Sequence, residues 1–247
     1  MAIPIDSSVM DRVGAADPDR VRAARLADPD VRDRLFALYA FHAELAKVPE
    51  LVTEPMMGRI RYQWWRDCLG EIYGSGPVRA HEVSTPLAEM VVQTGLSRFY
   101  LDRLIDGRER DLDPRPFETM DAATAYADAT SGALAAAAAT ICGGEGGVAA
   151  GRAWGLCGLA RSYRYYKDGM LKELPFDTIL AASEEAYREA RTVKPGAALP
   201  ALAYVSLVPG FLKRMRGQGF DPAGQVPDYA PFLKQVRMLK AVGSGRL

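Results

Sequence analysis

Two short stretches hold the residues whose types and spacing could do chemistry. The first, YAFHAELAKVPE at residues 39–50, carries Tyr39, His42, Lys47 and Glu50. The second, RSYRYYKDGMLKELPFD at residues 161–177, carries Arg161, Tyr165 and Tyr166. A magnesium ion needs hard oxygen ligands in near-octahedral geometry, and carboxylates four apart on a helix face the same way. Residues 39–50 open like a metal-binding helix, yet the places where carboxylates are wanted hold Ala46 and Lys47, leaving Glu50. A single carboxylate leaves most of an octahedral shell to water.

The elements that must position these residues read as helix almost throughout. DPDRVRAARLA and DPDVRDRLFALYAFHAELAKV each open with Asp-Pro-Asp. Asp17 and Asp28 can cap, and Pro18 and Pro29 suit the first helical position. The second of these helices bears Leu35, Leu38, Tyr39, His42 and Leu45 as one apolar stripe that needs a partner surface, and it should stop at Pro49. Pro55 begins the next helix, with Ile60, Trp64, Cys68 and Ile72 four apart and an end at Gly74. One or two helices are expected over 86–112, then one from an Asp121 cap through Cys142, a break at residues 143–147 and a helix over 148–166. Residues 167–177 read as irregular, and helices over 183–192, 199–216 and 229–242 complete the set. No strand alternation, repeat or domain linker stands out, which predicts a single all-α domain over 1–247.

Several stretches together resemble the squalene/phytoene synthase family of head-to-head prenyltransferases. YAF at residues 39–41 matches the start of that family's first active helix, and RIRYQWWRDCLGEIY looks like its arginine-plus-tryptophan-pair helix. LIDGRERDL and MDAATAYADATSGAL match the next two segments in order. The resemblance is strongest over 31–177 and implies an isoprenoid synthase fold, helices around a central cavity. It also implies that Tyr39, His42, Lys47, Glu50, Trp64, Arg161, Tyr165 and Tyr166 line that cavity. In the family two aspartate-rich boxes hold magnesium against a leaving diphosphate. Here the first box falls on Ala46, Lys47 and Glu50, and counting back from Leu174-Pro175 puts the second on Ser162, Tyr165 and Tyr166. Losing both boxes while keeping the surrounding helices is similar to one non-catalytic branch, the mitochondrial complex I assembly factor and its bacterial relatives.

That resemblance implies no catalytic residue and no cofactor, with respiratory complex subunits or assembly intermediates as partners. Two other readings stay open. One is a prenyltransferase acting on isoprenoid diphosphates, for which magnesium would be the cofactor. The other is a metal-independent isoprenoid or lipid-binding module in which Lys47 and Arg161 hold an anionic head. Each residue also has a plainer reading. Trp64 and Trp65 suit core packing, His42 suits a hydrogen-bonded core histidine, and Lys47 suits a solvated helix end. Arg161, Arg164, Lys167 and Lys172 form a strip of the kind usually solvated, and Asp106, Glu109 and Asp111 suit ion pairing with Arg108 and Arg110.

Composition sets the outer bounds. Lys plus Arg and Asp plus Glu are 31 each, so no global field draws nucleic acid to the chain. Cys68, Cys142 and Cys157 are too few and scattered for a disulfide framework or a zinc site, which suits a reducing compartment. The opening MAIPIDSSVMDRVG has no basic region before an apolar run, unlike a secretory signal. The Ala-rich run at 133–142 is too short to span a bilayer. A soluble cytoplasmic protein is expected, with peripheral contact at the inner face of a membrane as an option.

Overall fold

Apolar side chains recurring every three to four residues leave each helix with one face that only another helix can cover. In the computed structural model, which describes residues 3–228 and 230–247, those faces meet in two adjoining cores. Among the described residues the chain forms helices and no strand.

The helices are α1 Ser7–Ala16, α2 Pro18–Ala24, α3 Pro29–Ala46, α4 Pro55–Ile72, α5 Ser84–Thr94, α6 Arg98–Glu109 and α7 Met120–Ala127. They continue with α8 Ala133–Ile141, α9 Gly147–Arg161, α10 Tyr163–Tyr166, α11 Phe176–Ala190, α12 Leu199–Leu202, α13 Val208–Met215 and α14 Pro231–Ser244. Local chemistry explains most boundaries. Asp17 caps α2 by accepting from the Arg20 backbone N–H, Pro18, Pro29 and Pro55 open their helices, and Gly95 at φ 63° closes α5 in the left-handed region. Gly143 and Gly146, both at positive φ, make the turn between α8 and α9.

The first core joins α1, α3, α4, α5 and α6 with one face of α8, and the second joins the other face of α8 with α9, α11, α13 and α14. The ends of the chain are tied together. The Nζ of Lys234 on α14 sits 3.1 Å from an Asp19 carboxylate oxygen on α2, both side chains buried. The segment Gly196–Met215 is apolar enough by composition to cross a membrane, with mean hydropathy 1.3, but 67% of that window is buried and its α-helical stretches are separated by the 3-10 turn Ala203–Leu207 and preceded by another, Gly196–Ala198.

Several boundaries differ from the expected ones. The cap of α7 is Thr119, not Asp121, which lies in the first turn. The helix expected over 121–142 contains a π turn, Asp128–Gly132, because α9 presses against it: a Cβ on Gly151 would lie 2.2 Å from the Ser131 carbonyl oxygen. The helix expected over 148–166 breaks at Ser162. The helix expected from Ser183 starts earlier, at Phe176, and the last begins at Pro231; Tyr229, its expected start, lies outside the described residues. On α4 the buried stripe is Tyr62, Trp65, Cys68, Leu69 and Ile72, so Cys68 and Ile72 are buried as expected, while Ile60 is exposed and Trp64 half-buried. A 3.6-residue repeat drifts relative to a strict spacing of four, so the expected stripe slides off the buried face by its N-terminal end.

Candidate functional site

Between the two cores lies a mostly closed cavity of about 370 Å³. Its walls come from α2 (Arg20, with the cap residue Asp17), α3 (Tyr39, His42, Ala46), α6 (Arg108), α9 (Trp154) and the break and short helix after it (Ser162, Tyr166). The helices that would carry the two acidic boxes therefore face each other across this space. A smaller cavity of about 180 Å³ shares Arg108, Trp154, Ser162 and Tyr166. A groove of about 630 Å³ between α6 and α7 lies outside both, and its main charges are occupied by one another: Arg110 donates to the Asp113 carbonyl and Arg115 pairs with the Asp113 carboxylate.

The polar furniture of the central cavity is held from behind. Arg108 donates to His42 Nε2 at 3.0 Å, to an Asp111 carboxylate oxygen at 3.0 Å and to the Tyr126 hydroxyl at 3.2 Å. The Tyr126 hydroxyl in turn donates to Asp111 at 2.6 Å. The Tyr62 hydroxyl sits between the carbonyls of Leu45 and Arg108, at 3.2 and 3.0 Å, and so ties α3 to α6. Arg20 pairs with Asp17 and lies against the Tyr204 ring at 4.9 Å. Burial is the largest single effect and opposes charge on Arg20, but the Asp17 carboxylate and the Tyr204 and Tyr39 hydroxyls together outweigh it and raise its pKa. For His42, burial first and then Arg108 and Arg20 push the imidazole well below its usual range, so the ring is neutral.

The eight expected cavity residues divide. Tyr39, His42 and Tyr166 line the central cavity. The other five do not. Lys47 turns outward and pairs with Glu44, since a lone ammonium in the interior would be costly and a carboxylate one turn earlier is within reach. With Trp64 and His81 it borders a separate surface pocket of about 300 Å³. Glu50 is exposed on the 3-10 turn Val48–Leu51 that follows α3, because Pro49 ends the helix before the fourth box position can face inward. Trp64 is packed against Trp65 and His81 with the Arg79 guanidinium 5.0 Å from its ring. Arg161 lays its guanidinium on Phe211 at 3.9 Å and on Trp154 at 5.3 Å, in the second core. Tyr165 is 67% exposed, since the break at Ser162 rotates α10 away from the line of α9.

Residues that sequence reasoning passed over furnish the cavity instead. Arg108 is four residues after Leu104 and three after Ile105, both fully buried, so helical spacing alone places it on the inner face of α6. Its neighbours Asp106 and Glu109 face outward and share Arg66, at 2.8 and 2.6 Å. Arg20 carried no such signal beyond its closeness to the Asp17 cap.

Residues 13–169 match the family described as squalene/phytoene synthase, more than half of the chain. The chain belongs to the squalene/phytoene synthase family. Its fold is that of the solved synthases: a dehydrosqualene synthase superposes with a TM-score of 0.71 over 96% of this chain and 97% of that one at 15% identity. Squalene synthase HpnC from Alicyclobacillus acidocaldarius gives 0.71 over 87% and 94% at 13% identity. Among curated proteins the chain is similar to NADH dehydrogenase (ubiquinone) complex I, assembly factor 6. The mouse protein is 35% identical over 98 residues, covering 40% of this chain and 29% of that protein. The human one is 31% identical over 109 residues, 44% and 32%. The Dictyostelium discoideum homolog is 23% identical over 121 residues, 49% and 34%. The match thus spans about a third of the length of each of these relatives.

The family's magnesium cluster does not fit the donors present. Where the two boxes face the cavity stand Ala46, Ser162 and Tyr166, and the one carboxylate on the cavity wall, Asp17, is bound to Arg20. Among the described residues no group of three or more His, Cys, Asp or Glu is arranged to hold a metal.

Proposed function

We propose that this chain is a catalytically silent squalene/phytoene synthase-fold protein that takes part in assembling respiratory complex I. The observation that carries the reading is the pair of former box helices. They still face each other across the cavity, but offer it Ala46, Ser162 and Tyr166 where ionising an allylic diphosphate would require carboxylates holding magnesium. The assembly role is supported by the likeness to complex I assembly factor 6. Subunits or assembly intermediates of that complex are the partners on this reading.

The two halves of the proposal are tested separately. Incubation with farnesyl or geranylgeranyl diphosphate and magnesium should give no squalene- or phytoene-type product; product above a no-protein blank overturns the silent half. A pull-down from the native membrane fraction should enrich NADH:ubiquinone oxidoreductase subunits over an unrelated bait of the same fold. Equal recovery with both baits overturns the assembly half.

A further inference from the structure

Donors on three side chains around the central cavity are left without a formed hydrogen bond. They are the Nε and one terminal nitrogen of Arg20, the Nε of Arg108 and the hydroxyl of Tyr39, all buried; the Tyr204 hydroxyl, itself unsatisfied, lies close to Arg20. Arg20 is 4% exposed and Tyr39 3%, and with Arg108 they line the same 370 Å³ space. Buried polar groups in folded proteins are nearly always satisfied, and leaving one unpaired costs about 1–3 kcal/mol, more when it is charged. A guanidinium can only donate. The set is therefore rich in donors, and a group with several lone pairs and negative charge answers it better than a scatter of neutral acceptors.

The charges agree with that reading. Asp17 takes one terminal nitrogen of Arg20, and Asp111, Tyr126 and His42 take both terminal nitrogens of Arg108, which leaves the Nε of each arginine and the second terminal nitrogen of Arg20 without a formed bond. Both arginines remain protonated, because Asp17, Tyr204 and Tyr39 around Arg20, and Tyr126, Asp111 and Tyr62 around Arg108, together outweigh the cost of burial. His42 adds no charge of its own, its Nε2 being taken by Arg108. Lys47 and Arg161, the cations that sequence alone put forward for an anionic head, lie elsewhere, on the surface and in the second core.

We propose that the central cavity binds a compact phosphate- or carboxylate-class anion without metal, held by Arg20, Arg108 and Tyr39. The anion can come as a free phosphate or as the phosphate monoester head of a lipid. This does not depend on the assembly role, and the chemistry differs from magnesium-dependent binding of a diphosphate by carboxylate boxes.

The test uses the full chain in EDTA-containing buffer at constant ionic strength. Inorganic phosphate and pyrophosphate are titrated by calorimetry and by thermal shift, and phosphatidate-containing vesicles are compared with pure phosphatidylcholine by flotation. Saturable binding is expected, to the free anions if the source is soluble and to phosphatidate vesicles alone if it is a lipid. Tyr39→Phe, which keeps the ring and removes only an unpartnered hydroxyl, should leave the unbound melting temperature unchanged or higher and weaken binding roughly tenfold, the worth of one charge-assisted hydrogen bond. Arg108→Lys, which keeps the charge and loses the fork, should weaken it by a similar factor or more. The proposal is overturned if neither anion nor vesicle binds, if binding appears only with magnesium, or if both variants bind as the parent does.

Discussion

Arg108, near the end of α6, donates to Nε2 of His42 on α3 across 3.0 Å, joining residues 66 apart in sequence. Because a guanidinium has no lone pair to offer, Nε2 must be the accepting nitrogen and the ring proton sits on Nδ1. Protonating the ring would set a cation against Arg108 in a buried place.

Stability should therefore depend on pH through His42. Its folded pKa is well below the ordinary 6.5, by burial and then by Arg108 and Arg20. Unfolded chain takes up a proton near pH 6.5 and folded chain does not. The His42 contribution is thus intact above that pH and is lost as pH falls below it, by at most about 1.4 kcal/mol per unit. Urea unfolding between pH 8 and 5 should show this decline, and His42→Gln should flatten it. Equal slopes for the two proteins would place the titration elsewhere.

The tryptophan pair should split. Trp65 is 4% exposed and meets Phe41 edge-on at 5.2 Å, so Trp65→Ala should cost about 3–5 kcal/mol. Trp64 is only half-buried, with Arg79 against its ring, and Trp64→Ala should cost roughly 1 kcal/mol, much of it that cation–π contact. Denaturant midpoints measured side by side decide it; the reverse order would mean that α4 is rotated by one residue.

Two glycines on α9 should respond with opposite sign. Gly151→Ala would put a methyl 2.2 Å from the Ser131 carbonyl oxygen and force α9 off the π turn, costing about 1–3 kcal/mol. Gly158 has nothing within 4 Å of such a methyl, so Gly158→Ala should add about 0.5–1 kcal/mol by helix propensity. Thermal unfolding of both variants is the measurement, and destabilisation by Gly158→Ala would contradict the packing described.

Asp19 and Lys234 form the buried link between α2 and α14. Asp19→Ala takes the buried carboxylate away from the Lys234 ammonium and leaves the more exposed Asp228 as an ion-pair partner, and should cost about 3 kcal/mol. Protease nicking near α14 should rise in the variant. Parental resistance together with parental stability would show that α14 is held by its apolar contacts alone.

Much of the helical frame was legible in the sequence. Asp17, Pro18, Pro29, Pro55 and the positive-φ glycines Gly143 and Gly146 act through their own backbone, so the boundaries they set needed no knowledge of neighbours. The stripe of α3 was legible for the same reason: Leu35, Leu38, Tyr39, His42 and Leu45 follow the helical repeat, and all are buried. The family resemblance was legible in the order of its motifs, now matched over residues 13–169. Tertiary structure decided the rest. Whether α11 starts at Phe176 or at Ser183 depends on a face made partly of Ser183, Ala186 and Ala190, too weakly apolar to show a stripe until α9 covers it. The π turn goes with the close approach that Gly151 allows to the Ser131 backbone and Gly155 to the Ala127 and Ser131 side chains, a contact between segments twenty or more residues apart. The cavity was decided in the same way. Lys47 could reach Glu44 only by turning outward, α10 swung Tyr165 into solvent, and Arg20 and Arg108 came together from helices far apart in sequence. Periodicity is a property of one helix, whereas the direction a charged side chain takes is set by which partner it can reach in three dimensions.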